Sequence, residues 1–224
     1  TRLNGSLPIV TPAEAAASVP ETATLLVSGF GGVGYPKLVP EAIAAGDQRE
    51  LTVVSGGGVG DEIDRDLVES GDMARRYPFV PNETVRDAVN AGEVAFHDRH
   101  ISRLADEVRF GGLRTGINGP TVAIVEAVAI GSDWLIPSTS VGHSPAYIET
   151  ADHLIVEVNR AQPLELGRVA LRVLLLPGRC SLPLALTIAG LCPKRGSGQR
   201  HTECPGQQQG VRGKRIFMKT SSSV

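Results

Sequence analysis

Two successive apolar, β-rich runs in this 224-residue chain, Thr24–Ser28 and Leu51–Val54, end in glycine clusters. The first cluster is Gly29-Phe30-Gly31-Gly32-Val33-Gly34, the second Ser55-Gly56-Gly57-Gly58-Val59-Gly60, and a helical pattern follows each. Parallel strands cannot be joined by a two-residue hairpin and need a crossover, so strands that alternate with helices predict a parallel sheet. Thr11-Pro12-Ala13-Glu14 is a capping-box pattern with Pro at the first helical position, and predicts a helix from about Pro12 to Ser18. Further helices are expected over Pro40–Ala45, Asp61–Ser70 and Glu83–Ala91, stopped by Gly46, Gly71 and Gly92. Val94–Phe96, Thr121–Ile130 and Leu154–Val158 complete the expected strands. The predicted fold class is α/β: an open, mainly parallel sheet with helices on both faces.

Charge divides the chain a second way. Residues 1–167 carry 12 Lys+Arg against 23 Asp+Glu, whereas residues 168–224 carry 10 against the single Glu203. The expected organisation is therefore a folded acidic lobe over 1–167 and a poorly structured basic tail over 168–224. The tail's loss of acidic residues and its rise in Arg, Gly, Gln and Cys resemble the product of a shifted reading frame. Cys180, Cys192 and Cys204 are too far apart for the two-to-four-residue ligand pairs of zinc sites, so no metal is expected. The acidic lobe argues against a nucleic-acid partner. The longest apolar stretch, Val169 to Leu191, is cut by Arg172, Pro177, Arg179 and Pro183, which argues against a membrane span. The first seventeen residues have no apolar core of a signal peptide, and a cytoplasmic location is expected.

In open α/β sheets, ligands collect where loops leave the carboxyl ends of strands. Three such loops are rich in Gly, Ser or Thr, and supply the candidate binding residues. They are Gly31, Gly32, Gly34 and Tyr35; Ser55, Gly56, Gly57 and Gly58; and Ser138, Thr139, Ser140 and Gly142. Consecutive glycines let backbone amides approach an anionic or carbonyl oxygen. A plain tight turn with packing glycines is the competing explanation for any one loop. The first cluster also satisfies G-x-G-x-x-G, which raises a nicotinamide-dependent oxidoreductase. That fingerprint needs a helix starting within the glycines, whereas Pro36 and Pro40 push the predicted helix start to about Pro40. It also needs a carboxylate at the end of the second strand, where Ser55 and glycines stand.

Several motifs in fixed order resemble the acetyl-CoA hydrolase/transferase family. Ser28-Gly29-Phe30, Gly34-Tyr35-Pro36-Lys37 and Val39-Pro40 are similar to its "SGF…GYPK.VP" segment. Phe96-x-Asp98-x-His100-Ile101-Ser102, Ala123-Ile124-Val125-Glu126-Ala127, Ile136-Pro137-Ser138-Thr139-Ser140-Val141-Gly142 and Ile155-Val156-Glu157-Val158-Asn159 follow in family order. Gln162-Pro163-Leu164-Glu165-Leu166 closes a match over roughly residues 5–166. The sequence departs from the family at Gly58, where a small hydroxyl is usual, and at His143, which replaces a common Asn.

The resemblance implies an enzyme that hydrolyses acetyl-CoA or moves coenzyme A between short carboxylic acids through a glutamyl-CoA intermediate. Coenzyme A is then a substrate, no cofactor is required, and homo-oligomers are expected. It also implies that the nucleophilic glutamate belongs to a second lobe lying beyond residues 1–166, so that no catalytic residue is assigned in this chain and the chain alone is expected to be inactive. Glu126 and Glu157, inside apolar strands, are expected to accept hydrogen bonds from nearby loop backbones. Asp98 and His100 are expected to form a structural pair. A non-catalytic binding module, with the basic tail contacting nucleic acid, is the remaining alternative.

Overall fold

A computed structural model describes Leu3 and residues 8–47, 49–57, 60–80, 82–113, 119–165, 173–174 and 184–189, all within one compact unit, Thr1–Gly190. The central strands β1 (Thr24–Phe30), β2 (Leu51–Gly57), β3 (Met73–Tyr77), β5 (Thr121–Ile130) and β7 (His153–Asn159) are buried almost throughout. Successive side chains of a strand point to opposite faces, and the core divides accordingly. Leu25, Val27, Val53, Val122, Ile124 and Ile155 face one layer, made by α1 (Pro12–Ala17), α2 (Leu38–Ala44), α3 (Asp61–Glu69) and α4 (Glu83–Ala91). Leu26, Val54, Ala123, Val125, Leu154 and Val156 face the other, made by α5 (Leu104–Arg109) and α6 (Ser144–Thr150).

The strands run in the order β4 (Ala95–Phe96), β3, β2, β1, β5, all parallel, and β5 continues in parallel to β7. The far half of β5 instead pairs antiparallel with β6 (Trp134–Pro137). The sheet is open, mainly parallel and covered on both faces. It also crosses the expected boundary near residue 167: β8 (Val173–Leu174) pairs with β6, and β9 (Leu184–Ala189) adds in parallel to β7. Leu184–Ala189 is the stretch of the basic segment where an apolar, β-competent run follows Pro183 without interruption. These eight residues lie within the segment expected to be poorly structured. The rest of 168–224, including the three cysteines, lies outside the described residues, as does Gly58.

Several boundaries differ from the sequence reading for identifiable reasons. Helix α1 has the full capping box, with Glu14 N–H donating to Thr11 Oγ1 (3.2 Å) and Thr11 N–H to Glu14 Oε2 (2.8 Å). Helix α2 starts at Leu38 rather than Pro40. The first four amides of a helix have no intrahelical acceptor, so a proline at its third position forfeits nothing. Strand β2 runs on through Ser55, Gly56 and Gly57, because Gly57 pairs with Phe30 of β1.

Strand β3 escapes a hydropathy reading because its sequence, Met-Ala-Arg-Arg-Tyr, places two guanidinium groups in an interior strand. Arg76 is nonetheless fully buried. Its Nε donates to Asp64 Oδ1 (2.9 Å), its Nη2 to Ser55 Oγ (2.8 Å) and its Nη1 to the Tyr77 carbonyl. A buried charge survives when it is paired and hydrogen-bonded.

Candidate active-site edge

The carboxyl ends of β1 to β4 meet along one edge of the sheet, and the candidate loops are found there. Gly31 and Gly32 have φ of 58° and 81°, and Phe30 and Val33 exchange backbone hydrogen bonds in both directions (3.0 and 3.1 Å). Two consecutive positive φ values mark a type I′ turn, which explains the glycine pair without invoking a ligand. The tip of this turn is exposed, and the Gly31 amide donates to the Gly57 carbonyl (3.3 Å), tying the first loop to the second.

The third loop closes on the first. Gly34 has φ of 66° and packs against Ser140. Ser28 Oγ donates to the Gly34 carbonyl (3.0 Å) and accepts from the Glu126 amide (2.9 Å). His143 Nε2 donates to the Ile101 carbonyl (3.0 Å), while its Nδ1 lies against Gly56 and has no partner among the described residues. Burial lowers the His143 pKa from its ordinary value, against the opposing pull of the Ile101 carbonyl, so the ring is a neutral acceptor at Nδ1. The sequence reading noted His143 only as a departure from the family; in the fold its ring is a half-buried spacer between the Ile101 carbonyl and Gly56 of the second loop.

The edge holds a cleft of about 510 Å³, lined by Phe30, Gly57, Pro78, Phe79, Asp98, Arg99, His100 and Ile101. Phe30 and Phe79 are each about half exposed (55% and 52%), so the walls present apolar surface to solvent. Arg99, His100 and Asp98 give it a polar rim. The expected Asp98–His100 pair does not form: the 3-10 turn Ile101–Arg103 folds Ser102 back, and His100 Nδ1 meets Ser102 Oγ at 3.1 Å.

The candidate residues divide into those that face solvent and those that hold the loops. Gly31, Gly32, Thr139 and Gly142 are exposed at the edge, and Gly57 lines the cleft. Ser55, Ser138 and Ser140 are buried. Ser55 Oγ is committed to Arg76, and Ser138 Oγ donates to Glu126 Oε1 (2.5 Å). Gly34 and Gly56 are buried spacers, and Tyr35 is a wedge whose hydroxyl donates to Glu62 Oε2 (2.8 Å). That bond and burial both push the Tyr35 pKa up, burial the more, so the phenol stays neutral.

Beside these loops lies a buried carboxylate pair. Glu126 and Glu157 stand in register on β5 and β7. Glu126 accepts from Lys37 Nζ (2.9 Å), Asn159 Nδ2 (3.1 Å) and Ser138 Oγ, all side chains rather than the loop backbones expected. Glu157 does accept from backbone: the amides of Lys37, Leu38 and Val39 all reach it within 3.0–3.2 Å. The start of α2 is thus already occupied by a carboxylate from this chain. A pyrophosphate of a dinucleotide would need those same amides, which removes the structural basis of the nicotinamide reading.

Among the described residues, no group of three His, Cys, Asp or Glu is arranged to hold a metal ion, and no helix is long and apolar enough to cross a membrane.

Comparison with known proteins agrees with this geometry. Solved structures share the fold: RipA from Yersinia pestis (TM-score 0.57, 18% identity, 84% of this chain and 45% of that one) and glutaconate coenzyme A-transferase from Acidaminococcus fermentans (TM-score 0.56, 15% identity, 80% and 75%). Succinyl-CoA:acetate CoA-transferase of Clostridium kluyveri is 36% identical over 168 residues, 72% of this chain and 30% of that protein. Acetyl-CoA hydrolase of Schizosaccharomyces pombe is 34% identical over 148 residues, 61% and 28% respectively. The chain thus spans less than a third of the length of these relatives. The family model for the acetyl-CoA hydrolase/transferase N-terminal domain matches residues 8–169, and the chain belongs to that family.

Proposed function

We propose that this chain forms the lobe of an acetyl-CoA hydrolase or acetate CoA-transferase that supplies one wall of the acyl-CoA site. The reading rests on one observation above all: three loops far apart in sequence converge, beside a cleft of about 510 Å³, at the carboxyl edge of a parallel sheet in a chain of this family. Substrates are acyl-CoA thioesters and small carboxylic acids. Gly31, Gly32, Thr139 and Gly142 present backbone to the ligand, and Phe30 and Phe79 cover its apolar part.

The chemistry divides one acyl exchange into two easier steps. A glutamate carboxylate outside residues 1–166 attacks the thioester carbonyl, and the C–S bond breaks to give an acyl-glutamyl anhydride and coenzyme A thiolate. The thiolate then attacks the glutamyl carbonyl, releasing the acid and leaving a glutamyl-CoA thioester. An acceptor carboxylate then attacks the glutamyl-CoA carbonyl, expelling the thiolate to give a new anhydride, and the thiolate attacks its acyl carbonyl to form the new acyl-CoA and free the glutamate. In the hydrolytic case water attacks the glutamyl thioester instead, releasing coenzyme A and the glutamate. Backbone amides stabilise each tetrahedral oxyanion. The lobe's own buried carboxylates do not serve as nucleophile, since Glu126 has three hydrogen-bond donors and Glu157 is held by three amides.

The test is an amide-resolved NMR titration of the chain with acetyl-CoA, with NADH as control. The proposal expects acetyl-CoA to shift Gly31, Gly32, Gly57, Thr139 and Gly142 and NADH to leave them unmoved. Shifts with NADH alone would overturn it.

A further inference from the structure

Glu157 is the point where the buried charges and the first glycine loop meet. Its two oxygens take the amides of Lys37, Leu38 and Val39, three consecutive residues some 120 positions earlier in the chain, and the residue is fully buried (0% exposed). No side chain caps α2 locally, so Glu157 performs that task from β7. What these amides hold extends outward. Lys37 Nζ donates to the Tyr35 carbonyl (2.6 Å) and lies 4.0 Å from the Tyr35 ring centre. Tyr35 packs against Gly29 and Gly60, and its neighbour Gly34 packs against Ser140.

We propose that Glu157 is the positioning residue of the whole loop edge, fixing Lys37–Val39 through three backbone amides and, through Lys37 and Tyr35, setting the first and third loops relative to each other. Its functional half rests on the acyl-CoA reading above; its structural half does not.

The surroundings make this anchor sensitive to a proton. Glu126, in register on β5, is the like charge beside it, and Lys37 is the opposite charge, given mainly to Glu126. Strand β9, paired on its other side, has no ionisable residue in Leu184–Ala189. Burial raises the Glu157 pKa to about 7, with the amides of Lys37 and Val39 pulling the other way and Glu126 adding to the rise. Adding a proton removes one of the acceptor sites the three amides share, so the loop anchor loosens as pH falls.

The experiment follows the amide signals of the full chain by NMR from about pH 5 to about pH 9, a span bracketing the transition. The proposal expects Lys37, Leu38 and Val39 to titrate with a common midpoint and Ser140 to follow them. Glu126→Gln, which removes the like charge, should lower that midpoint, and Glu157→Gln should abolish it. If Glu157→Gln does not fold, the wild-type and Glu126→Gln titrations still decide. Amides that fail to titrate together, or a midpoint untouched by Glu126→Gln, would overturn the proposal. In the same samples, Glu157→Gln should weaken acetyl-CoA binding about tenfold, the effect of losing charge-assisted hydrogen bonds. Unchanged affinity would overturn the functional half. A wild-type chain that binds no acetyl-CoA would count against the acyl-CoA reading instead, leaving the amide titration to judge the anchor.

Discussion

Gly34 lies so close to Ser140 that a Cβ at position 34 would stand 2.6 Å from both the Ser140 Cβ and its backbone nitrogen. The first and third loops are therefore locked by backbone contact, and this contact separates a structural glycine from a merely conformational one. Gly34→Ala adds that clash to the strain of a positive φ, and should cost about 2 kcal/mol or more in denaturant unfolding. Gly31→Ala bears only the φ strain, since nothing lies within 4 Å of its Cβ, and should cost about 1 kcal/mol. Equal costs would mean the loops are not in contact.

The buried Arg76–Asp64 pair gives a second expectation. Arg76→Met leaves Asp64 without its cation in a site where both are fully buried, and should destabilise by about 3 kcal/mol or more. Adding Asp64→Asn should recover part of this loss, because the stranded charge is then gone. Thermal and denaturant unfolding of the single and double variants would measure it, and a single variant as stable as wild type would refute the role given to the pair.

The fold was legible where one period dominates. The apolar runs of β1, β5 and β7 and the capped helices α1 and α4 announce themselves in hydropathy and in Thr11, Glu14, Gly92 and the chain's other punctuating residues. Strand β3 did not, because Arg75 and Arg76 break its apolar run and only the distant Asp64 and Ser55 make Arg76 tolerable inside. Helix α6 was hidden by the Ser/Thr-rich segment that precedes it. The site was legible in outline only. Sequence selects Gly, Ser and Thr clusters, yet cannot distinguish an exposed Thr139 from Ser138, whose hydroxyl is spent on Glu126. It could not reveal that Glu157 caps α2 either, since that bond closes only when β7 is placed beside β5.

Glu157 also sets a pH dependence of stability. Its pKa rises from 4.5 to about 7 on folding. Between those values the folded chain holds a proton that the unfolded chain has released. Stability therefore falls as pH rises through this window, by on the order of 3 kcal/mol in all. Glu157→Gln should flatten this component. Urea unfolding at several pH values would show it, and an identical pH profile for wild type and Glu157→Gln would rule it out.

The proposed function gives this lobe one wall of an acyl-CoA site but not the nucleophile. The direct measurement is turnover: purified chain is incubated with acetyl-CoA, with and without succinate, while free thiol and acyl exchange are followed. Little or no turnover is expected, because backbone amides without the attacking glutamate retain only a small part of the rate. Turnover of about 1 per second or more, the range of working enzymes, would contradict it and point to Glu126 as a nucleophile in its own right.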